Sequence, residues 1–322
     1  MLTGDTAYDG VGKGVAVIPD GDGDGVMDLA IGVPGDDDNG SSSGSVYLFS
    51  GVTTSGSSVA LSDAYAQLTG DTSSGVFGTV VLDPGDGDGT ADLLMGAYGA
   101  ANAYLFLGPV TGSLGVASAD HTFVGGADDD SLGRYNLWAA GDLDGDGLDD
   151  VLLGTGLYDG VASNSGIAYL FYGGLSAGSV NTVDADVIID GHEKSAGVGK
   201  ALAGLGDLDG DGQDDLGIGC HSCTNDSVFL HLGPISTDRD ADDGDSTWTT
   251  TATSGSMGNS VGPAGDVNSD GYADFAVGAS LTSFSASGAG SWYVVLGTSA
   301  PIVAAQGFTA YGRMVYWAHG PA

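Results

Sequence analysis

The stretch Asp142-Leu-Asp144-Gly-Asp146-Gly-Leu-Asp-Asp150 decides how this chain folds, because it recurs in register along the sequence. Its carboxylates stand at positions 1, 3, 5 and 9, a glycine stands at position 6, and a short apolar run follows at once. Four related stretches lie about 60 residues apart and end at Asp28, Asp92, Asp215 and Asp274. A repeat of this length indicates a fold assembled from similar units.

Each repeat has the same order of apolar segments around its Asp loop. The segments after the loops read DLAIGVP, DLLMGAY, DVLLGTG, DLGIGCH and DFAVGAS, and the next ones read SVYLFSG, NAYLFLG, IAYLFYG, SVFLHLG and SWYVVLG. Short apolar runs bounded by glycine indicate buried strands, and no stretch keeps a helical period over three turns. The sequence therefore predicts an all-β chain with four strands per repeat, which is the pattern of a β-propeller blade.

The same alignment sets the repeat boundaries. The repeats cover residues 5–70, 71–125, 126–191, 192–253 and 254–308, and residues 309–322 begin a sixth repeat or form a closing strand. Leu2-Thr3-Gly4-Asp5 matches the end of the outer strand of a preceding unit, so both chain ends are expected to lie within a repeat. We expect one β-propeller domain over residues 1–322, and the number of blades in the closed ring is left open.

The charge of the chain excludes one class of partner and disfavours another. The 322 residues include 6 Lys and Arg against 43 Asp and Glu, which gives a formal net charge of -37. Nucleic acid is excluded because its phosphates would be repelled, and an anionic membrane surface is disfavoured for the same reason. No apolar run approaches the roughly 18 residues of a membrane span, so no membrane insertion is predicted.

The acidic residues point to a metal. Glu193 is the only glutamate, and aspartate is preferred where a short carboxylate must reach a metal or cap a tight turn. Oxygen donors at positions 1, 3, 5 and 9, with a backbone carbonyl at position 7, suit Ca²⁺ rather than Mg²⁺. An ordinary hairpin turn needs one Asp-Gly pair and not three carboxylates at fixed spacing.

The predicted ligands are therefore one set per repeat, with about five calcium ions in all. They are Asp20, Asp22, Asp24, Val26 and Asp28; Asp86, Asp88, Thr90 and Asp92; Asp142, Asp144, Asp146, Leu148 and Asp150; Asp207, Asp209, Asp211, Gln213 and Asp215; and Asp266, Asn268, Asp270, Tyr272 and Asp274. Pro84 stands at position 1 of the second loop and has no side-chain oxygen, so the second site is predicted to be weaker.

These repeats resemble the FG-GAP repeats of the integrin α-subunit propeller. The resemblance is carried by the Asp loops, by Val76-Phe77-Gly78 and Ser131-Leu132-Gly133 before the first strands, and by Gly-Ala or Gly-Val after the second strands, as at Gly96-Ala97. It covers essentially the whole chain. It implies calcium at the loops, a propeller of up to seven blades, and extracellular adhesion or ligand recognition.

Three functions are consistent with these observations. The leading hypothesis is an extracellular or cell-surface adhesion or protein-interaction module whose blades are stabilised by calcium. The alternatives are a carbohydrate-binding propeller, with a glycan in place of a protein ligand, and a structural repeat unit of a surface assembly that self-associates. No catalytic residue is predicted, because the five histidines share no repeat position with a nucleophile and the paired carboxylates are committed to metal. An extracellular location follows because calcium modules of modest affinity are filled only outside the cell.

The two cysteines form a separate motif. Cys220-His-Ser-Cys223 follows the second strand of the fourth repeat, and a zinc or redox role would need two more ligands or a thioredoxin-like helix. A local disulfide is the favoured interpretation, and it fits an oxidising location.

Overall fold

The computed structural model describes residues 2–4, 8–51, 59–71, 77–82, 90, 92–126, 132–134, 137–249, 256–281 and 290–299. Within them the protein is all-β, as predicted, and its helical residues lie in four short 3₁₀ helices at Leu61–Asp63, Tyr98–Ala100, Val116–Ser118 and Thr182–Asp184. None of the helices in the described part of the chain is long and apolar enough to cross a membrane.

The described residues form 24 strands, and the predicted second and third strands of each repeat are among them. They are β1 (Leu2–Thr3), β2 (Val15–Ile18), β3 (Asp28–Val33), β4 (Ser45–Phe49), β5 (Val59–Ala60), β6 (Ala66–Thr69), β7 (Phe77–Leu82), β8 (Leu93–Ala97), β9 (Asn102–Phe106), β10 (Gly112–Gly115), β11 (His121–Val124), β12 (Leu137–Ala139), β13 (Val151–Thr155), β14 (Ile167–Phe171), β15 (Gly178–Asn181), β16 (Val187–Asp190), β17 (Ala201–Gly206), β18 (Asp215–Cys220), β19 (Ser227–His231), β20 (Arg239–Asp240), β21 (Ser246–Thr249), β22 (Met257–Gly265), β23 (Asp274–Ala279) and β24 (Ser291–Val295).

The chain divides into two compact units. The first contains Met1–Ala139 and Gly174–Asp184, and the second contains Ala140–Gly173 and Ala185–Ala322. The first unit holds two antiparallel meanders, β2-β3-β4-β6 and β7-β8-β9-β11, which we call blades 1 and 2. The second holds blade 3 (β13-β14-β16), blade 4 (β17-β18-β19-β21) and blade 5 (β22-β23-β24). Blades 1, 2 and 4 are four-stranded meanders, one per repeat, which is the form of an FG-GAP-type blade of a β-propeller.

Burial explains the two kinds of sequence pattern along the strands. Second and third strands such as β13 and β14 are buried at every position and therefore read as continuous apolar runs. The fourth strands β6, β11, β16 and β21 alternate between buried and half-buried residues, so each turns one face to the core.

A further strand on the outer edge of the blades was not predicted. The strands β10, β15 and β20 each leave their own repeat and pair in parallel with the fourth strand of the preceding blade, which is β6, β11 and β16 respectively. We call these three the donated strands. The first unit includes Gly174–Asp184 for this reason, because β15 pairs with β11 there. β1 has the same parallel relation to β5, as expected if Leu2 and Thr3 are the end of an outer strand.

Consecutive repeats approach one another through pairs of glycines. The glycine of the second strand in one repeat meets the glycine before the first strand of the next: Gly96 meets Gly133, and Gly154 meets Gly199. A Cβ on Gly96 or Gly154 would collide with the carbonyl oxygen of its partner, and both partners have positive φ, +77° and +93°. These contacts are the physical reason for the glycines that carry the family resemblance.

Candidate metal sites

The first carboxylate of each described loop organises the turn around it. In loop 3 (residues 142–150) the Asp142 side chain accepts hydrogen bonds from the amides of Gly145, Asp146 and Gly147, at 2.7, 3.0 and 2.9 Å. Asp20 accepts the equivalent three bonds in loop 1 (residues 20–28), at 2.7, 3.0 and 2.7 Å. A position-1 aspartate thus bends the chain into a ring of inward-facing oxygens.

The last carboxylate of each loop lies in the core and ties three segments together. Oδ2 of Asp150 accepts from the amide of Leu143 at 2.9 Å, and its Oδ1 accepts from the amide of Gly173, beyond the third strand, at 2.9 Å. The position-9 aspartates Asp28, Asp92, Asp150, Asp215 and Asp274 are all buried, and each accepts from the glycine amide that follows its third strand. These glycines (Gly51, Gly108, Gly173, Gly233 and Gly297) were visible in the sequence as strand ends, but their role in the site was not predicted.

Burial alters the acidity of the position-9 carboxyls. It raises the pKa of Asp150 and of Asp215 to about 7, while the amide hydrogen bonds they accept act in the opposite direction. The pKa values of Asp144 and Asp209, at position 3, are also raised, first by burial. A bound cation would favour the charged forms of these groups.

The carboxylates converge in three of the loops. Oxygens lie within 4.8 Å of one another in the sets Asp20, Asp22 and Asp28; Asp142, Asp144 and Asp146; and Asp207, Asp209 and Asp215. Three carboxylates at this spacing repel one another unless a cation lies among them. The donors are oxygens alone, which suits a hard cation, so the residues present fit a divalent ion such as Ca²⁺.

Position 4 needs a left-handed backbone as much as position 6 does. Gly145 and Gly147 have φ of +86° and +91°, and the same pair of angles recurs in loop 1 and in loop 4 (residues 207–215). In loop 5 (residues 266–274) position 4 is Ser269, which takes φ of +61° at a cost that glycine avoids. The requirement at position 6 was predicted from the sequence, and the requirement at position 4 was not.

The remaining predicted ligands have mixed outcomes. Asp24, Asp146, Asp211 and Asp270, at position 5, accept from the amides of Val26, Leu148, Gln213 and Tyr272, at position 7. In loop 5 the Asn268 amide group donates to Asp270 at 2.8 Å, and Asp266 heads the turn as Asp142 does. Asp86 and Asp88 of loop 2 lie outside the described residues. Metal ligation by the whole set stays a prediction.

The cysteine motif forms the local disulfide that the sequence favours. Cys220 and Cys223 are joined in it, and the Cys220 sulfur also lies 3.5 Å from the carbonyl oxygen of Ala196. The residue that follows the disulfide is held by Glu193, whose carboxylate accepts from the amide and the hydroxyl of Thr224 at 2.7 and 2.8 Å.

Comparison with known proteins agrees with this architecture. The FG-GAP repeat family model matches residues 257–295, which contain blade 5 and its loop. Integrin alpha-PS3 of Drosophila melanogaster is 30% identical over 168 residues, which are 49% of this chain and 14% of that protein. Integrin alpha pat-2 of Caenorhabditis briggsae is 28% identical over 236 residues, 66% of this chain and 18% of that protein.

A vertebrate relative extends the comparison. Integrin alpha-5 of Xenopus laevis is 37% identical over 86 residues, which are 25% of this chain and 8% of that protein. The chain therefore spans less than a fifth of the length of these relatives. The family match in blade 5 shows that the chain contains an FG-GAP repeat, and the repeated Asp loops between blade strands accompany its similarity to integrin alpha chains.

Proposed function

We propose that this chain is an extracellular, calcium-binding β-propeller that serves as an adhesion or protein-interaction module. The observation that carries the proposal is the convergence of three carboxylates in each of loops 1, 3 and 4 on one shared backbone scaffold. The similarity to integrin alpha chains supports a protein ligand at a cell surface. A binding role is favoured over a catalytic one because the clustered carboxylates would be ligands of the cation and not catalytic acids or bases.

Calcium would act on stability. The carboxylates of each loop gain a counter-charge when an ion binds, and the buried position-9 aspartate passes this gain to the second and third strands through its amide hydrogen bonds. A site with a Kd of about 10⁻⁴ M adds about 1.8 kcal/mol in about 2 mM calcium. Several such sites add up to an amount comparable with the stability of a whole domain. The same sites add almost nothing at submicromolar calcium, which is the reason for the proposed extracellular location.

Thermal unfolding with and without chelator tests the calcium role. We expect about 2 mM calcium to raise the Tm by at least about 10 °C over EDTA, and the same concentration of magnesium to raise it less. In the double variant Asp207→Asn/Asp209→Asn the calcium-dependent rise in Tm should be smaller by the contribution of one site. The adhesion role is tested on the same samples by binding to immobilised matrix proteins in calcium and in EDTA. A Tm that EDTA leaves unchanged would contradict the proposed calcium role.

A further inference from the structure

One side chain distinguishes blade 1 from blades 2, 3 and 4. Three blades place an aspartate immediately before the fourth strand, and its carboxylate accepts from the amide just beyond the third strand. These bonds join Asp120 to Leu107, Asp186 to Tyr172 and Asp245 to Leu232, each at 2.9 Å. In blade 1 this position is Tyr65.

Backbone hydrogen bonds establish that the positions are equivalent. The amide of Tyr65 donates to the carbonyl of Leu48 at 2.9 Å, as the amide of Asp120 does to Leu105 at 3.0 Å. The donated strands also begin at equivalent places, because the carbonyls of Tyr65 and Asp120 accept from the amides of the first residues of β10 and β15. Tyr65 is therefore a replacement at a fixed place in the blade.

The phenol of Tyr65 reaches the metal loop instead of capping the third strand. A Cβ built on Gly21 would lie 2.6 Å from the Tyr65 hydroxyl oxygen and 3.4 Å from Oδ2 of Asp28, so both groups crowd the same backbone. The hydroxyl oxygen is buried and has no hydrogen-bond partner of good geometry within the described residues. A buried hydroxyl without a partner costs free energy, which a suitably placed acceptor would recover.

A tyrosine keeps its phenolic proton at neutral pH, so the Tyr65 hydroxyl is a hydrogen-bond donor that faces a carboxylate of the predicted site. Asp28 already accepts from the amides of Gly21, Asp22 and Gly51, at 2.9, 3.2 and 3.0 Å. A small reorientation of this carboxylate would align it with the phenol as well.

We propose that Tyr65 is a positioning residue of the first metal site, and that its hydroxyl donates a hydrogen bond to Asp28 when a divalent cation binds. The inference rests on the calcium role proposed above. Groups that orient a metal ligand in this way contribute about tenfold or more to affinity. Loop 1 would therefore bind calcium more tightly than its four carboxylates alone provide.

Calorimetric titration with calcium tests this inference. In Tyr65→Phe we expect one site to weaken by about tenfold, while the remaining sites keep the affinities of the wild type. Tyr172→Phe is the matched control, because the Tyr172 hydroxyl already donates to the carbonyl of Ile235 at 2.8 Å, and it should titrate like the wild type. Tyr65→Asp introduces the residue found in blades 2, 3 and 4 and should also weaken one site, which provides a second variant.

A double-mutant cycle assigns the effect to loop 1. Asp28→Asn removes the carboxylate that the Tyr65 hydroxyl is proposed to meet, so adding Tyr65→Phe to it should change the calcium affinity little further. The Tm in EDTA reports whether each variant is folded. An unchanged titration in both Tyr65 variants, or an equal loss in the Asp28→Asn background, would overturn the inference. Absence of calcium binding by the wild type would instead refute the proposed function itself.

Discussion

Loop 4 and loop 5 fold in the same way although loop 5 carries less negative charge. In both, the position-1 aspartate accepts from the position-6 amide, at 3.0 Å from Asp207 and 2.9 Å from Asp266. In both, the position-9 aspartate accepts from position 2 and from the glycine beyond the third strand. Position 3 differs, because loop 4 has Asp209 and loop 5 has Asn268.

The electrostatics of the two loops differ accordingly. Burial raises the pKa of Asp215 to about 7, and the carboxylates of Asp209 and Asp207 raise it further, whereas loop 5 has the neutral Asn268 in place of Asp209. The comparison indicates that positions 1 and 9 build the loop, and that position 3 sets how strongly it attracts a cation.

The largest expected effect is at position 9. Asp215→Ala leaves the amides of Leu208 and Gly233 without their acceptor, so unfolding free energy in EDTA should fall by about 4 kcal/mol. Asp274→Ala should cost a similar amount, because the two scaffolds match. Asp211→Ala, which removes an exposed acceptor of one amide, is the control and should cost less than about 1 kcal/mol. A large difference between Asp215→Ala and Asp274→Ala in chemical denaturation would break the comparison.

Blades 4 and 5 should differ in how acid affects their stability, because of a residue outside the loops. At the end of the third strand blade 4 has buried His231, where blade 5 has Val295. His231 shares a hydrogen bond with the carbonyl of Ala241 at 3.0 Å and lies 3.4 Å from Arg239. Burial, and then Arg239, lowers the pKa of His231 to about 4 from an ordinary value of 6.5.

The sign of the pH effect follows from the neutral folded form. The contribution of His231 is fully present above pH 6.5 and is lost as the pH falls to about 4, which amounts to about 3 kcal/mol. Denaturation in EDTA at several pH values should therefore show a smaller loss between pH 6.5 and 4 in His231→Phe than in the wild type. Equal slopes for both proteins would show that His231 is not responsible.

The smallest expected effect is at position 3. Asn268→Asp gives loop 5 the charge pattern of loop 4, and it should tighten calcium binding at one site by about tenfold, or about 1.4 kcal/mol. Asp209→Asn is the reciprocal change and should weaken one site to a similar degree. Both variants should keep their Tm in EDTA within a few degrees, because the scaffold bonds remain. If calorimetry finds either affinity unchanged, position 3 does not set the attraction for the cation.

The strands were predictable because burial on both faces leaves a continuous apolar run. β13 and β14 are of this kind, and the Asp loops between such runs set the repeat. The donated strands could not be predicted in this way, since Gly-Ser-Leu-Gly in β10 and Arg-Asp in β20 carry no apolar pattern. They are strands only because the outer edge of the preceding blade offers free backbone groups.

The positions of the candidate ligands could be predicted from the sequence, but the hydrogen bonds that tie them to the blade could not. The spacing of carboxylates pointed to a cation, but it did not show that Asp150 also holds Leu143 and Gly173. Tyr65 was missed because it lies 37 residues beyond Asp28 in the sequence and no local pattern joins the two. Such contacts depend on how strands return to one another, which spacing along the chain does not encode.

The donated strands have a consequence for synthesis on the ribosome. β11 ends at Val124, yet the strand that covers its edge begins only at Gly178, so blade 2 stays open while most of the third repeat is being translated. A nascent chain paused in this interval exposes an unpaired edge, which is the kind of surface that recruits a second nascent chain. The unit that folds is thus offset from the unit that repeats, and truncations designed at Gly125 or Gly191 would remove the edge strand from an otherwise complete blade.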